Sequence, residues 1–392
     1  MGRINHPTIR QSEIVRPTVA EIDLDRIRQN YRAIQQKVAP AHVMPVLKAN
    51  AYGHGLVEIA RHLVGLGAAY LGVAVLEEGI LLREEGIEAP ILVMGGIMGN
   101  QIPYFLDYGL TITASSIEKL DQIDRAAGEM GVRARVHLKI DTGMERIGVH
   151  YYSAEGFLQE SLKCSHCGIE GIYSHFANAD ARDLSSARTQ LERFNAVLDF
   201  YESRGIQPPM RHMANSGAVL QLPESYFDMV RPGILLYGVY PSLESERTVQ
   251  VEPALTWKSN VVYFKVVLPG HPVSYGSTWQ PDEMVRVVTV PVGYGDGYFR
   301  RMSNKAQVII RGRKYPVVGT ICMDQIMVNI GWDSAYNGDE VILLGIAEGE
   351  QITCEALAEW AGTNPYEILT NINTRVPRLY RGGLVKSEAK QA

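Results

Sequence analysis

The sequence lacks long apolar runs and blocks of like charge. No stretch of its 392 residues approaches the roughly eighteen apolar residues of a membrane span. The opening residues contain no continuous apolar segment typical of a secretory signal. Basic residues are scattered among acidic ones, for a net charge of -5, so no nucleic-acid surface is indicated. We therefore expect a cytoplasmic protein that binds neither membranes nor nucleic acid.

Cysteine is also scarce, with four residues in the chain. This number is typical of a protein in a reducing compartment. Cys164 and Cys167 form one Cys-x-x-Cys pair beside His166. No second pair follows at zinc-site spacing, and no βαβ redox context is evident. We interpret the pair as incidental and expect no metal.

The length and the hydrophobic pattern indicate two domains, since 392 residues exceed one ordinary core. In the first part, apolar runs alternate with segments of helical spacing, which end near glycines at positions 86, 109, 131 and 205. The strand-like runs are residues 43–47, 70–75, 91–94, 111–114, 135–140, 169–174, 211–214 and 228–230. Eight strands alternating with helices predict an α/β fold, and the count favours a closed (β/α)₈ TIM-like barrel over an open sheet. We place this domain at residues 13–248.

The composition changes near residue 249, where β-branched runs become closely spaced. These runs cover residues 261–267, 285–292, 308–310, 326–330 and 341–344, with turn signals such as Asn337-Gly338 between them. A helix is predicted at residues 354–361. The pattern indicates a C-terminal, mainly antiparallel β domain at residues 249–384.

Polar residues follow the predicted barrel strands at the ends where barrel enzymes carry their catalytic groups. Lys48 ends the first apolar run, and a partly desolvated lysine amine can form a Schiff base with a carbonyl. The residues after later strands are Arg146, His175, Asn215, Ser216 and Arg231. The loops after strands seven and eight often hold phosphate in such barrels, and here they carry Ser216 and Gly233. Ser216 as a helix N-cap and Pro232-Gly233 as a turn are the structural alternatives.

Eight segments, in order, carry a resemblance to a known family. They are VLKANAYGHG at 46–55, HLKIDTGMERIG at 137–148, SHF at 174–176, ANS at 214–216, VRPGI at 230–234, SYG at 274–276, VGYGDG at 292–297 and CMDQ at 322–325. From Pro17 to Tyr380 the chain resembles the alanine racemases. The resemblance implies pyridoxal 5'-phosphate as cofactor, bound by Lys48, and interconversion of L- and D-alanine, with D-alanine supplied to peptidoglycan precursors.

The resemblance also implies roles for the individual residues. Contacts to the cofactor phosphate are implied for Tyr52, Ser216, Gly233, Ile234 and Tyr366, and a further cofactor contact for Asn215. Arg231 would donate to the pyridine nitrogen, because arginine keeps its proton, and so weaken the ring as an electron sink. His175 would pack beside that ring and support Arg231.

Racemisation is most simply achieved by two bases on opposite faces of the substrate Cα. Lys48 would serve one face and Tyr275, lent by the neighbouring subunit of a homodimer, the other. His212 would hydrogen-bond that tyrosine. Met323 and Asp324 would also cross the interface, where the Met323 backbone can bind the substrate carboxylate. Arg146, a further cofactor-binding residue, would bind that carboxylate from its own barrel.

Three further positions bear on substrate and charge. Lys139 matches a lysine that is carbamylated in some family members, which would anchor Arg146. Tyr294 and Tyr366 resemble tyrosines that narrow the access corridor and favour alanine. Glu145 departs from the glycine that many members have there.

Three alternative functions are open. One is a racemase of serine or basic amino acids. The second is a fold-related decarboxylase, which would carry an acid in place of Arg231, and the third is a pyridoxal-phosphate carrier protein, which would lack the β domain.

Overall fold

The computed structural model describes residues 15–383. The chain divides into two compact units. One, the barrel unit, is formed mainly by Arg26–Glu252, and the other, the β unit, by the described part of Met1–Asp25 with Pro253–Gly382. The domain limits drawn from the sequence, 13–248 and 249–384, stay a prediction.

The regular elements within residues 15–383 comprise helices and strands in the following chain order. The helices are α1 (Leu24–Val38), α2 (Lys48–Tyr52), α3 (Leu56–Gly65), α4 (Leu76–Glu84), α5 (Ile102–Asp107), α6 (Ile117–Glu129), α7 (Ala154–Ser161), α8 (Ser185–Glu202), α9 (Ser216–Gln221), α10 (Cys354–Ala361) and α11 (Pro365–Asn371). The strands are β1 (Val19–Asp23), β2 (His42–Val43), β3 (Leu71–Val73), β4 (Ile91–Val93), β5 (Thr111–Ala114), β6 (Ala134–Asp141), β7 (Val149–His150), β8 (Cys167–Tyr173), β9 (Met210–His212), β10 (Met229–Val230), β11 (Leu255–Asn260), β12 (Tyr263–Val267), β13 (Val285–Val290), β14 (Gln307–Ile310), β15 (Arg313–Val318), β16 (Ile326–Gly331), β17 (Glu340–Ala347), β18 (Glu350–Ile352) and β19 (Arg378–Arg381).

The barrel unit is a ring of parallel strands. Its order is β2-β10-β9-β8-β6-β5-β4-β3, with β7 paired to β6. The ring closes where Val46 bridges Gly72 in parallel, and Leu47 N donates to Gly72 O at 2.7 Å. Strands β3 and β4 are buried throughout, as expected of parallel strands covered on both faces. The predicted (β/α)₈ TIM-like fold is confirmed.

The helices of the barrel unit end where the sequence predicts. Gly86, Gly109, Gly131 and Gly205 follow α4, α5, α6 and α8, and all four have positive φ. At each of these positions an added side chain would meet open space, so backbone conformation, not crowding, is the reason for glycine.

The β unit is a mainly antiparallel sheet, as predicted. Its order is β12-β13-β16-β15-β14-β17-β11-β1-β19, with β18 on β17, and the pairing of β1 with β19 is parallel. Strands β11 and β16 alternate between buried and half-buried positions, which indicates one covered face. The predicted helix at 354–361 matches α10, which Thr353 caps and Gly362 ends at φ 66°.

Strand β1 is a part of the fold that the sequence analysis did not predict. The hydrophobic pattern does not predict β1, because its five residues are too few to show a period beside α1. Strand β1 pairs with β11 and β19 in the β unit. In the part of the chain that the structure describes, no helix combines the length and apolarity needed to cross a membrane.

Candidate active site

The predicted barrel residues lie at the C-terminal ends of parallel strands. Lys48 follows the bridge at Val46, Arg146 follows β6, and His175 follows β8. Asn215 and Ser216 follow β9, and Arg231 follows β10. The structure therefore brings the predicted polar side chains of this unit to one face of the barrel.

Lys48 begins a strained turn. The next four residues, 49–52, have φ values of 54°, 57°, 53° and 50°, which is a left-handed helical turn built without glycine. Such a conformation costs about 1–2 kcal/mol per residue. Glu78 holds the turn, since its two carboxylate oxygens accept from Ala49 N at 2.6 Å and Ala74 N at 2.9 Å. Strain maintained by surrounding contacts is typical of functional sites.

The half-buried Lys48 amine has a lowered pKa. Burial is the main cause, and Arg146 adds to it. Glu78 opposes the shift, and Arg231 contributes in the lowering direction. More of the amine is therefore neutral than in a free lysine, which is the form that attacks a carbonyl or accepts a proton.

Arg231 is a buried cation held by neutral groups. Its Nη1 donates to His212 Nδ1 at 2.9 Å, and its Nη2 donates to Ser174 O at 2.7 Å, Met213 O at 3.1 Å and His175 Nδ1 at 3.3 Å. Burial lowers its pKa to about 10, so it stays charged at neutral pH. Within residues 15–383 these contacts use only its two terminal nitrogens, which leaves Nε–H for a ligand.

A chain of buried imidazoles supports Arg231. Because arginine only donates, His212 Nδ1 must accept, and His212 Nε2–H then donates to His137 Nδ1 at 2.9 Å. Burial lowers the pKa of His137 to about 3 and the pKa of His212 well below its usual value. The hydrogen bond from His212 to Tyr275 stays a prediction; within this chain Arg231 and His137 already contact both ring nitrogens of His212.

Ser216 and Gly233 form a small polar cradle. Ser216 Oγ accepts from Gly233 N at 2.9 Å and Leu235 N at 3.3 Å. The N-cap of α9 is Asn215, whose Oδ1 accepts from Ala218 N at 3.1 Å, so the alternative that Ser216 is the cap is wrong. A side chain on Gly233 would overlap the Tyr52 hydroxyl, so this close approach requires glycine. Ile234, also buried, begins the turn that follows.

The loop of Arg146 is ordered by Asp141. The Asp141 carboxylate accepts from Gly143 N at 2.8 Å, Met144 N at 3.0 Å and Arg146 N at 3.1 Å. Glu145 adopts φ 53° in the same loop, a conformation that glycine adopts more readily, and it pairs with His150 at 2.8 Å. Position 145, where the resemblance implies glycine in many relatives, is therefore left-handed.

Lys139 lies beneath that loop. It is buried and its Nζ lies 4.1 Å from the centre of the Tyr173 ring. Burial lowers its pKa well below the usual value, and the nearby Arg231 and Arg146 lower it further. Lys139, Arg146 and His175 line one small pocket.

The remaining predicted residues belong to the β unit. Tyr275 is 72% exposed, in a loop where Ser274 and Ser277 have φ 69° and 49°. Ser274 Oγ donates to Thr320 O at 2.5 Å, close in sequence to Met323.

Two further loops of the β unit join this group. Tyr294 N donates to Cys322 O at 3.0 Å, and Gly295 N donates to Met323 O at 2.8 Å. Asp324 is paired with Arg375 at 2.6 Å, and Tyr366 lies in the first turn of α11. Within this unit the structure brings together the loops of Tyr275, Tyr294 and Met323.

Sequence reasoning missed several residues that order the barrel site. They are Glu78, His137, Asp141, Tyr173 and Ser174. The Asp141-Thr142-Gly143 run is a turn signal that could have marked Asp141. The others act through contacts distant in sequence, such as Glu78 with Ala49 and His137 with His212, and carry no local signal.

Fold and site together define a class of protein. A lysine with a lowered pKa, the buried Arg231, the exposed Arg146 and a polar cradle share the C-terminal face of a (β/α)₈ barrel. This arrangement suits covalent chemistry between an amine and a carbonyl compound that carries negative charge.

Comparisons with known proteins identify the family. The family model for the alanine racemase N-terminal domain matches residues 22–241, and that for the C-terminal domain matches residues 254–380. The chain is 46% identical to the alanine racemase of Carboxydothermus hydrogenoformans, covering 93% of this chain and 100% of that protein. It is 44% identical to that of Symbiobacterium thermophilum, covering 94% and 98%.

Solved structures agree with this result. The alanine racemase from D-cycloserine producing Streptomyces lavendulae has a TM-score of 0.90 and 38% identity, covering 97% of this chain and 100% of that one. The alanine racemase from Bartonella henselae with covalently bound pyridoxal phosphate has a TM-score of 0.85 and 29% identity, covering 93% and 99%. The chain belongs to the alanine racemase family and is an enzyme of the isomerase class. Membership supports interconversion of L-alanine and D-alanine.

Proposed function

We propose that this chain racemises alanine with pyridoxal 5'-phosphate, using Lys48 and Tyr275 as the two bases. The observation that carries the proposal is the lowered pKa of the half-buried Lys48 amine at the catalytic face of the barrel. The same cofactor is bound covalently in the relative from Bartonella henselae. D-alanine for peptidoglycan precursors is the proposed product use, in the cytoplasm.

The barrel residues fit an anionic cofactor. Burial lowers the pKa of His175, and the basic side chains of Lys139, Arg231, Arg146 and Lys48 nearby lower it further, which supports an anionic ligand in this site. Ser216, Gly233 and Tyr52 supply a polar cradle at which a phosphate can bind, with Ile234 beside it. We assign Asn215 to the same region because it caps the helix that Ser216 begins. The phosphate contact of Tyr366 stays a prediction.

When bound, pyridoxal phosphate holds the amino acid through its aldehyde carbon and withdraws electrons from Cα, which makes the Cα proton acidic. Lys48 would hold the cofactor through its amine, and that amine, once free, would exchange a proton with one face of Cα. Tyr275 of a second copy of the chain exchanges a proton with the other face. Its exposure of 72% on a strained loop suits a group that another subunit covers.

Arg231 directs the chemistry toward racemisation. Its Nε–H would donate to the pyridine nitrogen, while the buried His212 and the half-buried His175, both uncharged, keep it in place. By donating and never accepting, Arg231 would keep this nitrogen unprotonated and so limit side reactions such as transamination. A decarboxylase would be expected to carry an acidic residue at this position, so this alternative is disfavoured.

Arg146 binds the substrate carboxylate, and Lys139 adjusts its charge environment. The backbone N–H groups that donate to the Asp141 carboxylate fix the loop that carries Arg146. A neutral, buried Lys139 amine can add carbon dioxide and release one proton, and the carbamate formed would offset Arg146 and Arg231. Mass analysis of gently handled protein that shows no added carbon dioxide would count against this modification.

The substrate is alanine, with serine or basic amino acids as the alternative. Tyr294, together with Tyr366, is proposed to narrow the access corridor, and Met323 and Asp324 are proposed to complete the site across a homodimer interface. Both tyrosines present bulky rings that favour a small side chain.

The test is a chiral time course in D₂O. Purified chain with pyridoxal phosphate is given L-alanine, L-serine or L-lysine. We expect rapid D-alanine formation with deuterium at Cα, slower turnover of serine and none of lysine. Absence of any D-amino acid while the cofactor is bound would overturn the proposal and favour a carrier protein.

A further inference from the structure

Two cysteines and an aspartate meet at the barrel end opposite the proposed catalytic face. Cys167 begins β8, whereas His175 follows the other end of that strand. Asp124 lies on α6, and Cys164 lies in the loop before β8. Each side chain offers one ligand atom, and the three atoms lie within 4.8 Å of one another. Both cysteines are free thiols.

Backbone hydrogen bonds hold the carboxylate against the Cys-x-x-Cys turn. Asp124 Oδ1 accepts from His166 N at 2.7 Å and from Cys167 N at 3.0 Å. Its Oδ2 lies 3.4 Å from Ser165 N and 3.8 Å from His166 Nδ1. A carboxylate has about four lone-pair positions, so Oδ2 keeps the capacity to bind a cation while Oδ1 holds the turn.

We propose that Asp124, Cys164 and Cys167 bind one thiophilic divalent cation of the Zn²⁺ type. Two sulfur ligands and one carboxylate oxygen are a donor set that zinc accepts in tetrahedral sites. The fourth position faces solvent and is open to water, because Asp124 and Cys164 are only half-buried. The Cys-x-x-Cys spacing, interpreted from sequence alone as incidental, gains its third ligand from a helix some forty residues earlier in the chain.

Binding exchanges protons for the cation. Each thiol loses its proton when its sulfur coordinates, so one cation releases two protons and affinity falls as the pH falls. The acidic side chains that act on Cys164 are Asp124 and Asp121 of α6 and Glu160 of α7. Their field favours a cation and raises the pKa of the Cys164 thiol, together with burial, which is the larger cause.

The bound cation would connect α6 to the loop before β8. Those elements carry no residue of the catalytic proposal at this end of the barrel. We therefore expect a structural role, in which cation raises Tm and leaves racemase turnover unchanged.

The test uses the full-length chain, kept reduced and first treated with chelator. Titration with Cd²⁺ should produce a thiolate-to-cadmium absorption band, and equilibrium dialysis with Zn²⁺ should give one ion per chain. Cys164→Ser should remove the band, and Asp124→Asn should weaken binding by at least about tenfold. Cys354→Ser, which alters a buried thiol elsewhere, should change neither.

Asp124→Asn keeps an oxygen that can accept from His166 N and Cys167 N, so it tests the ligand charge with the turn intact. Cys164 is chosen over the buried Cys167 because its replacement is less able to unfold the chain, and circular dichroism checks the fold. Absence of the band in the reduced wild-type chain, or a full equivalent of Zn²⁺ on folded Cys164→Ser, would overturn the site.

Discussion

The two units present their proposed functional groups in opposite ways. In the barrel unit Arg231 is 3% exposed and hydrogen-bonded to four acceptors. In the β unit Tyr275 is 72% exposed, on a loop in which two serines have positive φ. Buried groups are oriented by their own chain, whereas an exposed group gains a defined environment only when another surface covers it. This difference is the physical reason for proposing a site shared between two copies.

The units also differ in charge balance. The barrel site gathers four basic side chains around His175, and the carboxylates near them are those of Glu78 and Asp141. In the β unit Arg375 pairs with Asp324 and Asp296, and Arg16 also pairs with Asp296. In the barrel site basic side chains outnumber the neighbouring carboxylates, a setting that suits an anionic ligand.

Removing Lys48 should have the largest effect. Lys48→Ala loses both the amine that holds the cofactor and one proton exchange, so we expect racemase activity to fall by about 10⁴-fold or more. Lys119→Ala, on the outer helix α6, is the control and should keep wild-type activity. The chiral assay measures both variants. Substantial activity in Lys48→Ala would contradict the role of the barrel half of the site.

Removing the Tyr275 hydroxyl should have the next largest effect. Tyr275→Phe keeps the ring but loses one proton exchange, so we expect a loss of about 10²–10⁴-fold in D-alanine formation. Deuterium exchange should persist for the alanine enantiomer whose Cα proton faces Lys48, because Lys48 still serves its own face. Tyr263→Phe, another exposed tyrosine of the β unit, is the matched control. Equal activity of the two variants would argue against Tyr275 as a base.

The buried histidines should make the barrel unit acid-sensitive. His137 has a pKa of about 3 in the folded chain and about 6.5 when unfolded. Below pH 6.5 the unfolded chain binds a proton that the folded chain excludes, so stability present above this pH is lost as the pH falls toward 3. From about pH 7 to about pH 5 we expect a loss of about 1–2 kcal/mol from His137 alone.

Urea unfolding followed by circular dichroism measures this loss. His212 and His175 should act in the same direction, because burial also lowers each pKa. His42→Gln alters an exposed histidine of the same unit. This control variant should lose as much free energy of unfolding between pH 7 and pH 5 as the wild type does. A stability that does not change across this pH range would be inconsistent with neutral buried imidazoles.

Relaxing the Arg146 loop should have the smallest effect. Glu145 has φ 53°, so Glu145→Gly should remove about 0.5–1 kcal/mol of backbone strain, less the small contribution of its exposed pair with His150. Glu145→Gln is the control, because it removes the charge and keeps the strain. Thermal unfolding compares the two, and a lower Tm for the glycine variant would show that the loop is unstrained.

The fold could be predicted from sequence because its signals are local. Buried parallel strands show as short apolar runs, and Gly86, Gly109, Gly131 and Gly205 mark helix ends through positive φ. The strand-end position of Lys48 and Arg231 follows from the same runs. Strand β1 could not be predicted in this way, because its place is set by pairing with β11 and β19, far along the chain.

The supporting contacts of the site could not be predicted. Glu78 reaches the backbone of Ala49 across 29 residues, and His137 reaches His212 across 75. Both depend on how the closed ring brings neighbouring strands together. The exposure of Tyr275 is likewise a property of the folded β unit and not of the Ser274-Tyr275-Gly276 motif.

The most direct test of the shared site is subunit complementation. Lys48→Ala and Tyr275→Phe chains each lose nearly all activity in the proposal, yet a mixed dimer contains one site with both wild-type residues. Co-expression of the two variants with distinguishable tags should restore about a quarter of wild-type racemase activity, since about half of the dimers are mixed and each has one intact site of two. Purified mixed dimers with no more activity than either parent would contradict the account.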